Sequence, residues 1–201
     1  MKILLATANM GKLKEFLEIF ETANFKDIEI ITLKDLPKVE EPIEDGETFL
    51  ANAYLKAKYY YEKFHLPTIS EDSGLCVEAL NNAPGIYTAR YGSINGEHTD
   101  SVKAYTRVLN EMKNETNRKA KFVSAMYYYD DQTLISSIGE FLGEIAYEPS
   151  IGGGFGYDPI FYVPKYQVTS SLLPMDVKNS ISHRGVATRL LIGQLKKHFE
   201  K

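Results

Sequence analysis

The sequence predicts a mixed fold, α/β or α+β, built around a mixed β-sheet, and two observations carry that reading. Short apolar runs of strand type alternate with segments of helical periodicity in the first half of the chain. Two long strand-like segments meeting at Asp131-Gln132 then bring an antiparallel hairpin into the second half.

The elements follow in order. Residues 2–6 form a short apolar run that reads as a buried strand. After the polar break Thr7-Ala8-Asn9-Met10-Gly11, the residues Leu13, Phe16, Leu17 and Phe20 recur at helical spacing. Residues 28–32 read as a second strand. Residues 33–46 read as a long acidic loop, because Pro37 and Pro42 discourage regular structure. Asp45 is placed to cap a helix with Phe49, Ala53, Ala57, Tyr60 and Phe64 on one face. Residues 68–71 read as a short strand that breaks at Asp72-Ser73-Gly74 and resumes over 75–80. Thr99 is placed to cap a helix carrying Val102, Tyr105, Leu109 and Met112. Residues 119–130 and 133–147 are the hairpin strands. A glycine-rich loop at 152–156 follows, and a last helix begins near Ser182 with Val186, Leu190, Leu191, Leu195 and Phe199.

Composition bounds the function. The chain has 201 residues, 44% hydrophobic and 25% charged, as expected of an ordinary globular protein with one domain or two small lobes. Its 27 acidic and 23 basic residues give a net charge of −4, which argues against general nucleic-acid binding. A local basic cluster would still attract a small polyanion. The single cysteine, Cys76, excludes an intramolecular disulfide, suits a reducing compartment and reads as a small buried apolar residue. The apolar run at the amino terminus is too short for a signal segment, and no run is long enough to span a membrane, so a cytoplasmic protein is expected.

Several segments can carry chemistry. Thr7-Ala8-Asn9-Met10-Gly11-Lys12 lies at a strand–helix junction, where outward backbone N–H groups and the helix dipole favour an anion and Lys12 adds full charge. A plain capping turn would look the same, and the segment is not a Walker A loop, since Leu13 stands where Ser or Thr is needed. Glu71-Asp72-Ser73-Gly74 interrupts an apolar strand with two acids. A strand-end carboxylate can hold a hard cation or take a proton from water, and an Asx-turn is the plainer alternative. Lys56 falls at the edge of an apolar helix face, where it snorkels to water or meets a negative partner such as phosphate. Gly152-Gly153-Gly154-Phe155-Gly156-Tyr157-Asp158 combines backbone freedom with aromatic faces on which a base could stack, although it lacks the dinucleotide fingerprint. Lys178 and Arg184, with His183 of either charge between them, place positive charge around a helix start, against the dipole, which an anion or a purine keto oxygen would relieve; simple exposure to solvent is the plainer alternative.

Six blocks, taken in order, resemble the inosine triphosphate pyrophosphatase family: Thr7 to Lys12; Gly46-Glu47-Thr48-Phe49 through Asn52-Ala53 and Leu55-Lys56-Ala57; Glu71 to Leu75; Ala83 to Tyr91; Gly153 to Pro159; and Ser182 to Gly185. Ala8 and Glu71 depart from the glycine and aspartate that many members carry. The resemblance implies magnesium-dependent hydrolysis of ITP, dITP and XTP to the monophosphate and pyrophosphate, with manganese able to substitute. It also implies one domain over residues 1–201, with an elongated twisted sheet, flanking helices and two lobes around a central cleft, assembled as a homodimer. By the same carry-over, Asp72 is the general base and a metal ligand, and Ser73 a substrate contact. Thr7, Ala8, Asn9, Met10, Gly11, Lys12 and Lys56 hold the triphosphate. Phe155, Gly156, Tyr157, Asp158, Lys178, His183 and Arg184 hold the base and sugar. Glu44, with Glu41 behind it, is the second metal carboxylate. The competing readings are a pyrophosphatase for other modified nucleotides and a nucleotide-binding protein without turnover.

Overall fold

A computed structural model describes residues 1–23, 28–93, 97–98, 100–152 and 154–199. The chain forms β1 (Lys2–Ala6), α1 (Met10–Thr22), β2 (Glu29–Thr32), α2 (Phe49–Phe64), β3 (Thr68–Val77) and α3 (Ser101–Glu111). It continues with β4 (Lys119–Tyr129), β5 (Leu134–Ile145), β6 (Phe161–Val163), β7 (Val168–Thr169), α4 (Met175–Ile181) and α5 (His183–Phe199). The strands form one sheet in the order β2-β1-β3-β4-β5-β6-β7. Pairing is parallel from β1 to β2 and to β3, and antiparallel from β5 to β6 and from β6 to β7, so the sheet is mixed, as the sequence predicts.

The chain divides into two units, each assembled from separate stretches. The first holds Met1–Asp72, Ser124–Gly139 and His183–Lys201; the second holds Ser73–Val123 and Glu140–Ser182. In the first unit, Ile3, Leu5, Phe16, Ile69, Met126, Tyr128, Leu191 and Leu195 share one buried cluster. Leu4, Ala6 and Tyr60 share another. Side chains alternate along a strand, so β1 is covered on both faces, which is why it reads as an unbroken apolar run. In the second unit, Leu75, Val77, Val108, Met112, Phe122, Phe141, Ile145 and Phe161 form the core.

Local differences from the sequence reading have physical causes. β3 runs unbroken from Thr68 to Val77, so the two acids and Gly74 do not end it. Thr48, not Asp45, caps α2, its hydroxyl accepting from the Ala51 N–H. Asp100 caps α3; the expected cap Thr99 lies outside the described residues. The buried side of α3 is Ala104 and Val108, whereas Val102 is exposed. On α5, Leu190 and Phe199 are exposed while Ala187, Leu191, Ile192 and Leu195 are buried. The short β6, β7 and α4 leave no periodic signal long enough to read. Among the described residues, no helix is long and apolar enough to cross a membrane.

Candidate active site

Parallel pairing sets the site. Ala6 is in register with Ser70, so the chain leaving β1 at Thr7 is level with Glu71 and Asp72 on β3. In parallel sheets, ligands gather beyond the carboxyl ends of the strands, where the connecting turns lie. Thr7 Oγ1 accepts from the Asn9 N–H at 3.2 Å. Asn9 Oδ1 in turn accepts from the N–H groups of Gly11 at 3.0 Å and Lys12 at 3.2 Å, starting α1. Asn9 Oδ1 therefore acts here as the acceptor of a cap. Ala8, Asn9 and Met10 remain exposed.

One turn into α1, Lys12 reaches Glu71, with Nζ 2.7 Å from Oε2. Glu71 is 4% exposed. Its other oxygen accepts from Ser124 Oγ at 2.9 Å and Arg184 Nε at 3.2 Å. A second nitrogen of Arg184 is paired with Glu15, which lies on the buried side of α1. Burial by itself would raise the Glu71 carboxyl, but Lys12 and then Arg184 outweigh it and hold the group well below the usual carboxylate range. His183, buried at the start of α5, adds to that effect. Two cations and two carboxylates thus neutralise one another. The sequence reading sought a phosphate or a keto oxygen to relieve Arg184; the chain's own Glu15 and Glu71 already do so.

Asp72 is governed by different neighbours. Burial pushes its carboxyl above the ordinary value, Lys56 and Lys12 pull it down, and Glu44 pushes it up. A hydrogen bond donated by Asn52 Nδ2 to Oδ2, at 3.1 Å, pulls it down further. Lys56 lies 3.0 Å from the Glu44 carboxylate and donates to the Glu71 backbone carbonyl at 3.1 Å. Lys12, Glu44, Lys56 and Arg184, drawn from distant parts of the chain, therefore gather around Glu71 and Asp72, two consecutive residues of β3. Ser73 follows Asp72 on the same strand.

The remaining expected residues belong to the second unit. The glycine-rich loop turns sharply at Gly154 and Gly156, with φ of +147° and +58°, conformations that favour glycine. Gly153 lies outside the described residues. Phe155 is 42% exposed and presents an aromatic face. Tyr157 instead is buried in the core, its hydroxyl donating to the Thr88 carbonyl at 2.7 Å, so only Phe155 of the two aromatics is open for stacking. Asp158 is buried, accepting from Ser170 Oγ at 2.7 Å and Lys178 Nζ at 2.6 Å.

A sequence model described as the Ham1 family matches residues 3–194. The chain belongs to that family. A dITP/XTP pyrophosphatase of Treponema denticola is 44% identical over 188 residues, covering 93% of this chain and 94% of its own. One of Aquifex aeolicus is 41% identical over 202 residues, covering 98% and 97%. The solved structure of the Staphylococcus aureus Ham1 protein has a TM-score of 0.86 at 37% identity, covering 98% of this chain and all of that one.

The site of this Ham1-family chain also uses residues that sequence motifs alone did not mark. Glu15, Ser124 and Ser170 each hold a residue that the motifs did mark, and Asn52, which lies inside a motif block but was given no role there, holds Asp72. Glu15 had one visible signal, an acid placed among Leu13, Phe16 and Ile19 on the apolar side of α1. Among the described residues, no group of three or more His, Cys, Asp or Glu side chains is arranged to hold a metal ion. Glu44 and Asp72 nonetheless share the Lys56 ammonium as a cationic neighbour, and their donors are all oxygen. That set fits a hard divalent ion held by one or two carboxylates and completed by phosphate oxygens and water.

Proposed function

We propose that this chain hydrolyses the non-standard purine nucleotides ITP, dITP and XTP to the monophosphate and pyrophosphate, clearing them from the cytoplasmic pool, with magnesium as cofactor and as a homodimer. The supporting observation is the charge arrangement on β3. Lys12 and Lys56 converge on Glu71, while the adjacent Asp72 sits in a different environment that raises its carboxyl. Environments that push two neighbouring carboxyls apart assign them different tasks. Glu71 stays ionised and holds cations; Asp72 is the better proton acceptor.

In this reading Lys12 and Lys56 balance the oxygens of the leaving pyrophosphate, and Asp72 takes the proton of the attacking water. Phosphoryl transfer depends mainly on such positioning and charge stabilisation. Magnesium held by Asp72 and Glu44 would polarise the phosphate and offset its charge. In the second unit, the Asp158–Lys178 pair offers one acceptor beside one donor. Hypoxanthine and xanthine present the complementary N–H and 6-keto oxygen, whereas adenine reverses both. A mismatched base leaves buried polar groups unpaired, which penalises it strongly.

The test is pyrophosphate release from ITP, dITP and XTP against GTP, ATP and modified pyrimidine triphosphates, with and without magnesium. Magnesium-dependent release favouring the first three supports the proposal. Binding of ITP without release would identify a nucleotide-binding protein instead, and a preference for pyrimidines a different pyrophosphatase.

A further inference from the structure

Asn52 lies in the first turns of α2 and is 2% exposed. A buried amide in a helix is costly unless both of its ends are satisfied. Both ends are satisfied here, by different parts of the first unit. Asn52 Oδ1 accepts from the Gly46 backbone N–H at 2.8 Å, and Nδ2 donates to Asp72 Oδ2 at 3.1 Å. Gly46 closes the acidic loop that carries Glu44. That loop is also fastened to α2 by the Tyr59 hydroxyl donating to the Glu40 carbonyl, at 2.8 Å, and by Lys56 at Glu44. Asn52 hydrogen-bonds the loop and Asp72 through one side chain, while Lys56 ties Glu44 to the Glu71 carbonyl and acts on Asp72 through charge.

Two further facts make the contact specific. A Cβ added at Gly46 would lie 2.7 Å from Asn52 Oδ1, 2.8 Å from the Ala51 Cβ and 3.0 Å from the Asn52 nitrogen, so the loop can approach only as glycine. A planar amide carries a donor and an acceptor on one rigid group, which neither Asp nor Leu offers. Aspartate would keep the acceptor for Gly46 but set a carboxylate against Asp72.

We infer that Asn52 is a positioning residue that fastens the Glu44 loop to the Asp72 carboxylate, so that the two oxygen ligands of the candidate metal site are set as a unit. The inference rests on the magnesium reading above. Glu44 and Asp72 come from a loop and a strand far apart in sequence, and nothing in either element fixes their spacing. One side chain bonded to Gly46 in the loop and to Asp72 on the strand does. Residues that orient metal ligands in this way commonly change metal affinity about 10–100-fold when replaced.

Two substitutions separate the arms of the clamp. Asn52→Asp removes the donor to Asp72 and keeps the acceptor for Gly46. Gly46→Ala pushes the loop off Asn52 and leaves Asp72 with its amide. Each is expected to raise the half-saturating magnesium concentration at least about tenfold, with turnover largely recovering at saturating magnesium. Calorimetric titration with magnesium, in the presence of an α,β-imido analogue of ITP, should show the same weakening without catalysis. Amide hydrogen exchange over residues 39–47 should be faster in the metal-free Gly46→Ala protein than in the wild type. Wild-type magnesium affinity in either folded variant, or wild-type exchange over the loop in Gly46→Ala, overturns the inference. Should Asn52→Asp fail to fold, Gly46→Ala decides alone, since its change lies in the loop. A wild type that releases no pyrophosphate would sink the enzymatic reading by itself; calorimetry and exchange would still judge the clamp.

Discussion

Replacing Glu71 by glutamine tests the charge network at its centre. The wild-type carboxylate serves Lys12, Arg184 and Ser124 while almost wholly buried. Removing one partner of a buried ion pair costs about 3–5 kcal/mol, because a charge is left uncompensated. Two features move the estimate to the low end. Arg184 keeps Glu15, and the Lys12 side chain, 19% exposed, can turn to water. A loss of about 3 kcal/mol lowers the melting temperature of a chain this size by about 6–12 °C. The sign of its pH dependence follows from the depressed Glu71 carboxyl. Its stabilisation is fully present above the ordinary value of 4.5 and is lost only as pH falls through the lower folded value. Thermal melts of wild type and Glu71→Gln should therefore differ by the same amount at pH 7 and pH 5, and converge only in stronger acid. A difference under about 2 °C at pH 7, or one that closes between pH 7 and 5, would refute the reasoning.

Other measurements probe the remaining groups. Asp72→Asn should cut pyrophosphate release by about 10²–10⁴-fold while the melting temperature holds or rises, since burial disfavours the charge being removed; near-normal turnover rejects Asp72 as the base. Because burial raises that carboxyl, an NMR titration of Asp72 in the metal-free protein should have its midpoint above the ordinary value of 3.8; a midpoint at or below that value counts against the assignment. Lys178→Met strips the cation from buried Asp158, and the preference for ITP over ATP should shrink by at least about tenfold; an unchanged ratio would remove Lys178 from base selection.

The alternation of strands and helices was readable because β1 is an unbroken apolar run and the buried faces of α1 and α2 keep helical spacing. The continuity of β3 was not. Adjacent acids look like a break when only neighbours in sequence are considered, but Glu71 is neutralised by Lys12 and Arg184 from other elements, so the strand proceeds. Lys56 shows the same limit. Its place beside an apolar face left water and a negative partner both open, and did not point to Glu44 and a β3 carbonyl. Tyr157 could not be told from Phe155, since both are aromatics in one glycine-rich loop and only the Thr88 contact makes Tyr157 internal. Motifs found the residues with chemical roles; of the side chains that hold them, Glu15, Ser124 and Ser170 are set by tertiary pairing and carry little local signal, while Asn52 lay inside a motif whose purpose only its two hydrogen bonds reveal.

Arg184 stands 113 residues after Glu71 and 169 after Glu15. While the protein is being synthesised, both acids leave the ribosome long before the guanidinium that will neutralise them. Until then, burying Glu15 beneath α1 would confine an unbalanced charge, so this region has reason to stay open and hydrated. Its closing is a late event in the life of the nascent chain. A product cut short before α5 would carry Lys12, Lys56 and Asp72 in full and still lack the guanidinium that balances Glu15 and Glu71.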